Sequence, residues 1–204
     1  MKRILTTLFL LSLACSAINA QEPLAAFSSV TRENAVTFEY SYALQGDIPV
    51  KGAGSAAIDG DAYRITTGEL EIVCDGKTRW MVDGDSKEVY IESVDAAAVD
   101  YLSNPAALLC SLTDAFSVTK SGKVSQDGKS LTRVCMVPAK KGTGLSEVTL
   151  YLDGSVPSRV DVTLEEGAKT VFRINNWRVK EKGGMTFAVD SARIDASYVI
   201  TDLR

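Results

Sequence analysis

Glu69-Leu70-Glu71-Ile72-Val73-Cys74 runs into Asp75-Gly76-Lys77-Thr78-Arg79-Trp80. Asp83-Gly84-Asp85 then leads to Lys87-Glu88-Val89-Tyr90-Ile91-Glu92, and further on stands Asn104-Pro105-Ala106-Ala107-Leu108-Leu109. Asp-Gly suits tight hairpins, whose turns need a positive φ that glycine adopts without a steric cost. Short β-rich runs joined by such turns predict antiparallel strands. Asn-Pro before an apolar run predicts a capped helix with proline preset at its first position. The stretch therefore reads as a sheet with an apolar helix beside it, and it holds no group suited to catalysis.

The same turn signal recurs at Asp59-Gly60, Asp127-Gly128 and Asp153-Gly154. Upstream, Val36, Phe38, Tyr40, Tyr42 and Leu44 alternate with Thr37, Glu39 and Ser41, which predicts a strand with one aromatic-rich side. Further strands are expected near 50–58, 62–67, 69–74, 78–82, 87–92, 115–124, 130–137, 146–152, 158–165, 169–178 and 186–195. Helices are expected at 22–33, at 95–102 and from 105, where Leu108, Leu109, Leu112 and Phe116 recur at helical spacing. A sheet of this many twisted strands curls, and its helices then bury their apolar stripes on the concave side.

Composition narrows the function. The chain has 204 residues, 46% of them hydrophobic, and a net charge of −4, with no basic cluster suited to tracking phosphates. It contains no histidine, the commonest general base and transition-metal ligand. Lys140-Lys141-Gly142-Thr143-Gly144 lacks phosphate-loop spacing, and Glu165-Glu166 reads as a solvated turn. Lys120, Lys123, Lys129, Lys140 and Lys141 form at most a mild basic rim. The expectation is a non-enzyme with no cofactor, no metal and no nucleic-acid partner.

The first residues read as an export signal. Lys2-Arg3 precede the apolar run Ile4–Leu13 and the small-residue stretch Ala14–Ala20. This sets a signal peptide at 1–20 and a single domain at 21–204. Lipidation at Cys15 is the minority alternative, because Ser12 stands where an aliphatic residue is wanted. Of Cys74, Cys110 and Cys135, at least one thiol stays unpaired. A Cys74–Cys135 bridge and three buried thiols both remain open.

Asp75-Gly76-Lys77-Thr78-x-Trp80, Glu88-Val89-Tyr90-Ile91 and Asn104-Pro105-x-x-Leu108-Leu109 occur in an order and spacing that resemble the LolA-like lipoprotein carriers of Gram-negative envelopes. So do Phe172-x-Ile174-x-Asn176-Trp177 and the closing Val199-Ile200-Thr201-Asp202-Leu203-Arg204. The resemblance implies a mainly β fold: an incomplete, strongly curved antiparallel β-barrel of about eleven strands, with three helices lidding an apolar cavity. It implies a monomeric periplasmic carrier of acylated lipoproteins. Such a carrier takes cargo from an inner-membrane releasing complex and passes it to an outer-membrane acceptor. Alternation nominates Phe38, Tyr40, Tyr42, Tyr63, Ile65, Trp80, Val89 and Ile91 as acyl-chain-binding strand residues, with Leu108, Leu109 and Leu112 from the lid. One departure stands out. The family's lid-holding arginine precedes an aromatic of an early strand, whereas here Arg64 follows Tyr63 and points to the other face. An envelope sensor and a membrane-anchored acceptor on the same scaffold are the competing readings.

Overall fold

A computed structural model describes residues 18–45, 49–94, 101 and 105–204. A first helix, α1 (Ile18–Glu33), precedes a meander of six strands: β1 (Ala35–Gln45), β2 (Val50–Asp59), β3 (Ala62–Thr67), β4 (Leu70–Asp75), β5 (Thr78–Asp83) and β6 (Glu88–Ser93). Helix α2 (Pro105–Ala115) leads to a second meander: β7 (Phe116–Gln126), β8 (Lys129–Pro138), β9 (Leu145–Asp153), β10 (Val156–Leu164) and β11 (Lys169–Lys180). After a single 3-10 turn at Ser191–Arg193 the chain ends in β12 (Val199–Asp202).

All twelve strands form one sheet in the order β12-β6-β5-β4-β3-β2-β1-β11-β10-β9-β8-β7. The pairing of β1 with β11 fuses the two meanders. Neighbours are antiparallel except β12, which runs parallel to β6. The ends, β12 and β7, do not meet, so the barrel is incomplete.

Local chemistry accounts for the turns. Gly60, Gly76, Gly128 and Gly154 take positive φ in their Asp-Gly turns. Asp83-Gly84 opens a longer loop, in which the Asp83 carboxylate accepts from the backbone N–H of Asp85 and Ser86, and Lys87 takes the positive φ of 58°. A bulge on β11 is set by Asn176, at φ 52°, where two β11 residues face Phe38 alone. The extra residue flips the facing pattern, so Trp177 joins Phe172 and Ile174 on the inner side. Its ring stacks on Phe38 at 5.4 Å and meets Phe27 of α1 at 5.9 Å.

Three expectations are corrected. The sheet has twelve strands among the described residues, not about eleven. Among the described residues there are two α-helices; the third expected, at 95–102, lies outside those residues apart from Tyr101, as does Asn104. Residues 186–195 pair with no strand. They belong to an extended strap, residues 181–198, that crosses the outer face of β2–β6. Met185, Phe187 and Val189 are half-buried while their neighbours are exposed, so the alternation is real although the pairing is absent. The strap is tied down where Arg64 donates to the Ala188 carbonyl and Arg193 pairs with the buried Glu71 at 3.0 Å. Helix α1 also starts earlier than residue 22, which places Pro23 inside it.

The thiols do not pair: Cys74, Cys110 and Cys135 are all free. Cys74 on β4 and Cys135 on β8 are seven places apart in the sheet order, so they cannot bridge. Burial pushes the Cys74 and Cys110 thiols above the ordinary range.

Candidate functional site

Directly paired residues of adjacent strands share a face, so the register sorts every side chain. Three rows cross the inner face of the first meander. The first runs Val36, Ile58, Tyr63, Cys74, Arg79, Glu92. The second runs Phe38, Ala56, Ile65, Ile72, Met81, Tyr90. The third runs Tyr40, Gly54, Thr67, Leu70.

The two helices cover the other half of that face. Helix α1 packs against α2 and over β8, β9 and β1. Beneath them Val134, Met136, Val148, Leu150 and Leu152 are fully buried. The helix pair is pinned by polar contacts: Ser28 bonds Thr113 at 3.0 Å, and Arg32 donates to the Cys110 carbonyl and pairs with Asp114. The expected lid residues Leu108, Leu109 and Leu112 all join this core. Lid and core are here the same thing, because α2 rests on the sheet with its apolar stripe down.

Over the first meander the inner face is more open. Tyr40, Tyr42, Ile65, Ile72 and Met81 are only half-buried, and Tyr90 is exposed. At the end of this half lies an apolar groove of about 320 Å³, lined by Tyr40, Tyr42, Leu44, Val50, Thr67, Thr170 and Phe172. Its aromatic wall is continuous. Tyr40 and Tyr42 both contact Phe172, with ring centroids 6.1 and 6.2 Å apart. The tyrosine rings lie across β2 because their partners there are Gly54 and Gly52. A Cβ at Gly52 would fall 2.5 Å from the Tyr42 ring, and one at Gly54 would fall 2.7 Å from the Tyr40 hydroxyl. That hydroxyl donates to the Thr66 carbonyl at 3.2 Å, which fixes the ring over the sheet. Desolvation by burial raises the Tyr40 pKa, so the phenol stays neutral.

Phe38, Tyr40, Tyr42, Tyr63 and Ile65 therefore share the inner face, although Phe38 and Tyr63 are buried in the core rather than open to the groove. Trp80, Val89 and Ile91 do not join them. Val73 pairs with Trp80, Trp80 with Ile91, and Val82 with Val89, all on the outer face. There they form a second small core under the strap, with Val73, Val82 and Val89 almost fully buried. These strands are apolar on both sides because both sides are covered, so alternation alone cannot assign the face. The inner-facing residues of β5 and β6 are instead Met81 and Tyr90.

Leu44, Val50, Thr67, Ile72, Met81, Thr170 and Phe172 were not anticipated as site residues. A signal existed in Tyr40-x-Tyr42 set against Gly52-x-Gly54, a pattern of large rings over bare backbone. Arg64 points outward, as expected from its place after Tyr63. The inner face carries Arg79 instead, paired with Glu92 at 2.6 Å and hydrogen-bonded to Tyr63.

Comparison with known proteins matches this geometry. The family described as "Outer membrane lipoprotein carrier protein LolA" matches residues 65–186, more than half of the chain. No curated protein matches the sequence. Among solved structures, an uncharacterized conserved protein from Thermus thermophilus superposes with a TM-score of 0.52 at 10% identity, covering 90% of this chain and 98% of that one. A LolA superfamily protein from Nitrosomonas europaea gives a TM-score of 0.44 at 9% identity, covering 90% and 100%. The MucA/MucB complex of Pseudomonas aeruginosa gives 0.44 at 16% identity, covering 88% and 61%. The Thermus likeness is one of fold. The family match, over more than half of the chain and from β3 through β11, carries the assignment: this chain belongs to the LolA family.

Proposed function

We propose that this protein is a non-enzymatic periplasmic carrier that shields the acyl chains of lipoproteins on their way from the inner to the outer membrane. The observation that carries the reading is the half-open inner face of the first meander. There a row of aliphatic and aromatic side chains stays partly solvated and ends in an aromatic groove. A buried methylene is worth about 0.8 kcal/mol, so acyl chains cross water only under such cover. Few polar atoms line the groove, which suits a ligand that must also be released.

Energy for loading comes from the inner-membrane releasing complex, since the chain has no nucleotide motif. An outer-membrane acceptor takes the cargo. Among the described residues, no helix is long and apolar enough to cross a membrane. The export signal at 1–20 and the single domain at 21–204 remain part of this proposal.

The test is purification from the periplasm followed by lipid mass spectrometry and titration with a fluorescent triacylated lipopeptide. Co-purified acylated ligand and saturable binding support the carrier. Absence of both sinks it. The groove's volume sits at the low end of ligand pockets, which run from roughly 300 to 1,000 Å³. That observation favours a second reading, an envelope sensor that uses the same face for a protein segment. Lipopeptide binding with no acylated ligand recovered from cells would favour the sensor.

A further inference from the structure

The outer face of the second meander carries a row that acyl-chain carriage does not use. Arg133 on β8 pairs with Tyr151 on β9, Tyr151 with Arg159 on β10, and Arg159 with Arg173 on β11. Three guanidiniums and one phenol thus lie in a line across four adjacent strands, on the side away from the helices. The strap makes its sheet contacts on the other half of the outer face, so it does not cover this row.

Two like charges set directly opposite on neighbouring strands repel. The structure only partly compensates for this. Asp161, almost fully buried, holds Arg159 through two hydrogen bonds and is shared with Lys169 at 3.0 Å. Arg159 also lies 4.8 Å over the Tyr151 ring, which leaves it rigid. Arg173 is 57% exposed, and its nearest carboxylate is the exposed Asp127 at 3.7 Å. The Arg133 side chain makes no ion pair or hydrogen bond with the described residues. Of the other acids on this face beside the row, Glu147 is turned to Thr149, Glu39 accepts from Asn176, and Asp153 is exposed and pairs with none of the arginines. Asp161 and Asp127 thus pair with three of the four cations, and Arg133 is left without a carboxylate.

From this arrangement we infer that the Arg133-Tyr151-Arg159-Arg173 row is a docking surface for an acidic segment of a partner protein, laid across the strands. Strands are spaced about 4.8 Å apart, so Arg159 and Arg173 are one carboxylate apart, and Arg133 lies about 10 Å further along. One side-chain carboxylate bridges Arg173 and the edge of the Arg159 guanidinium that Asp161 leaves free, and so offsets their repulsion. A second, further along the extended segment, reaches Arg133. A short segment fits better than an anionic membrane or a nucleic acid. The whole chain carries −4, and an extended anionic surface feels that charge, whereas a short peptide feels only the local row within a Debye length of about 8 Å.

The experiment titrates the full chain with fluorescent oligoglutamate at low ionic strength, beside phosphatidylglycerol vesicles and an oligolysine control. The wild type should bind oligoglutamate saturably and weaken with salt. The double variant Arg133→Ser, Arg173→Ser should bind at least about tenfold more weakly with an unchanged melting temperature. Arg133→Lys with Arg173→Lys, which keeps the charge but loses the fork, should fall between them. Arg159 is left in place because its removal strands the buried Asp161. Equal binding by the serine variant, no saturable binding by the wild type, or preference for the vesicles overturns the inference. None of these outcomes depends on lipopeptide binding.

Discussion

The two halves of the inner face are built from the same strand pattern and end in opposite states. Over β8–β10, Val134, Met136, Val148, Leu150 and Leu152 are wholly buried under α1 and α2. Over β1–β6, Ile65, Ile72, Met81, Tyr40 and Tyr42 are equally apolar and stay half-exposed. Burial of apolar surface is the main favourable contribution to folding, so the second half forgoes stabilisation that the first half takes. One half holds the molecule together, and the other keeps apolar surface in reserve for a ligand.

The sharpest way to break this comparison is to make one large-to-small change in each half. Leu150→Ala should cost about 3 kcal/mol and lower the melting temperature by roughly 10 °C, through lost transfer energy and a cavity. Its folded fraction should bind lipopeptide as before. Ile72→Ala should cost only about 1 kcal/mol, since its side chain is already partly solvated, but should weaken lipopeptide binding several-fold. Thermal melts and fluorescence titration read both effects. Equal losses of stability in the two variants would mean that the halves do not differ.

A smaller change sharpens the comparison inside the open half. Gly52→Ala places a methyl 2.5 Å from the Tyr42 ring, so the ring must swing off β2 into the groove. The expected stability cost is about 1–2 kcal/mol, with a larger fractional loss of lipopeptide affinity. Tyr42→Ala together with Gly52→Ala should recover stability without restoring affinity. Calorimetry of the single and double variants checks this.

The bulge that joins the halves should respond more weakly still. Asn176 holds φ at 52°, which costs an ordinary residue about 1–2 kcal/mol more than it costs asparagine or glycine. Asn176→Ala should therefore destabilise by about 1 kcal/mol and shift the tryptophan emission, as Trp177 loosens from Phe38 and Phe27. Asn176→Gly should be nearly neutral. If alanine is tolerated as well as glycine, Asn176 does not aim Trp177.

The sequence exposed the strands more readily than their faces. β1 was legible because only its inner side is apolar. Trp80, Val89 and Ile91 were not, because the strap makes the outer side of β5 and β6 apolar too. The strap itself reads as a strand, since Met185, Phe187 and Val189 alternate with exposed neighbours, yet a chain crossing a sheet face alternates for the same reason as one joining it. The groove stayed hidden because two of its determinants, Gly52 and Gly54, act by lacking a side chain. The half-exposed state of Ile72 and Met81 reflects where the helices rest, over β8, β9 and β1 rather than over β3–β5, and Arg32 ties those two helices to each other.

Those contacts supply the mildest test, by pH. Arg32 beside Asp114 holds that carboxyl below the ordinary carboxylate range. A group whose folded pKa is depressed stabilises the fold above its unfolded pKa of about 3.9, and loses that contribution as pH falls through the lower folded value. The pair is solvent-exposed, so the effect on global stability is small. It acts on the sealed half alone, since Asp114 lies on α2 and no comparable ion pair ties a helix over Ile72 or Met81 among the described residues. Asp114→Asn should therefore flatten the acid end of the stability profile slightly. It should also raise hydrogen exchange in α2 at neutral pH while leaving exchange in β3–β5 unchanged. Faster exchange in β3–β5 as well would show that the helix pair governs both halves, and that the open half is held open from across the sheet.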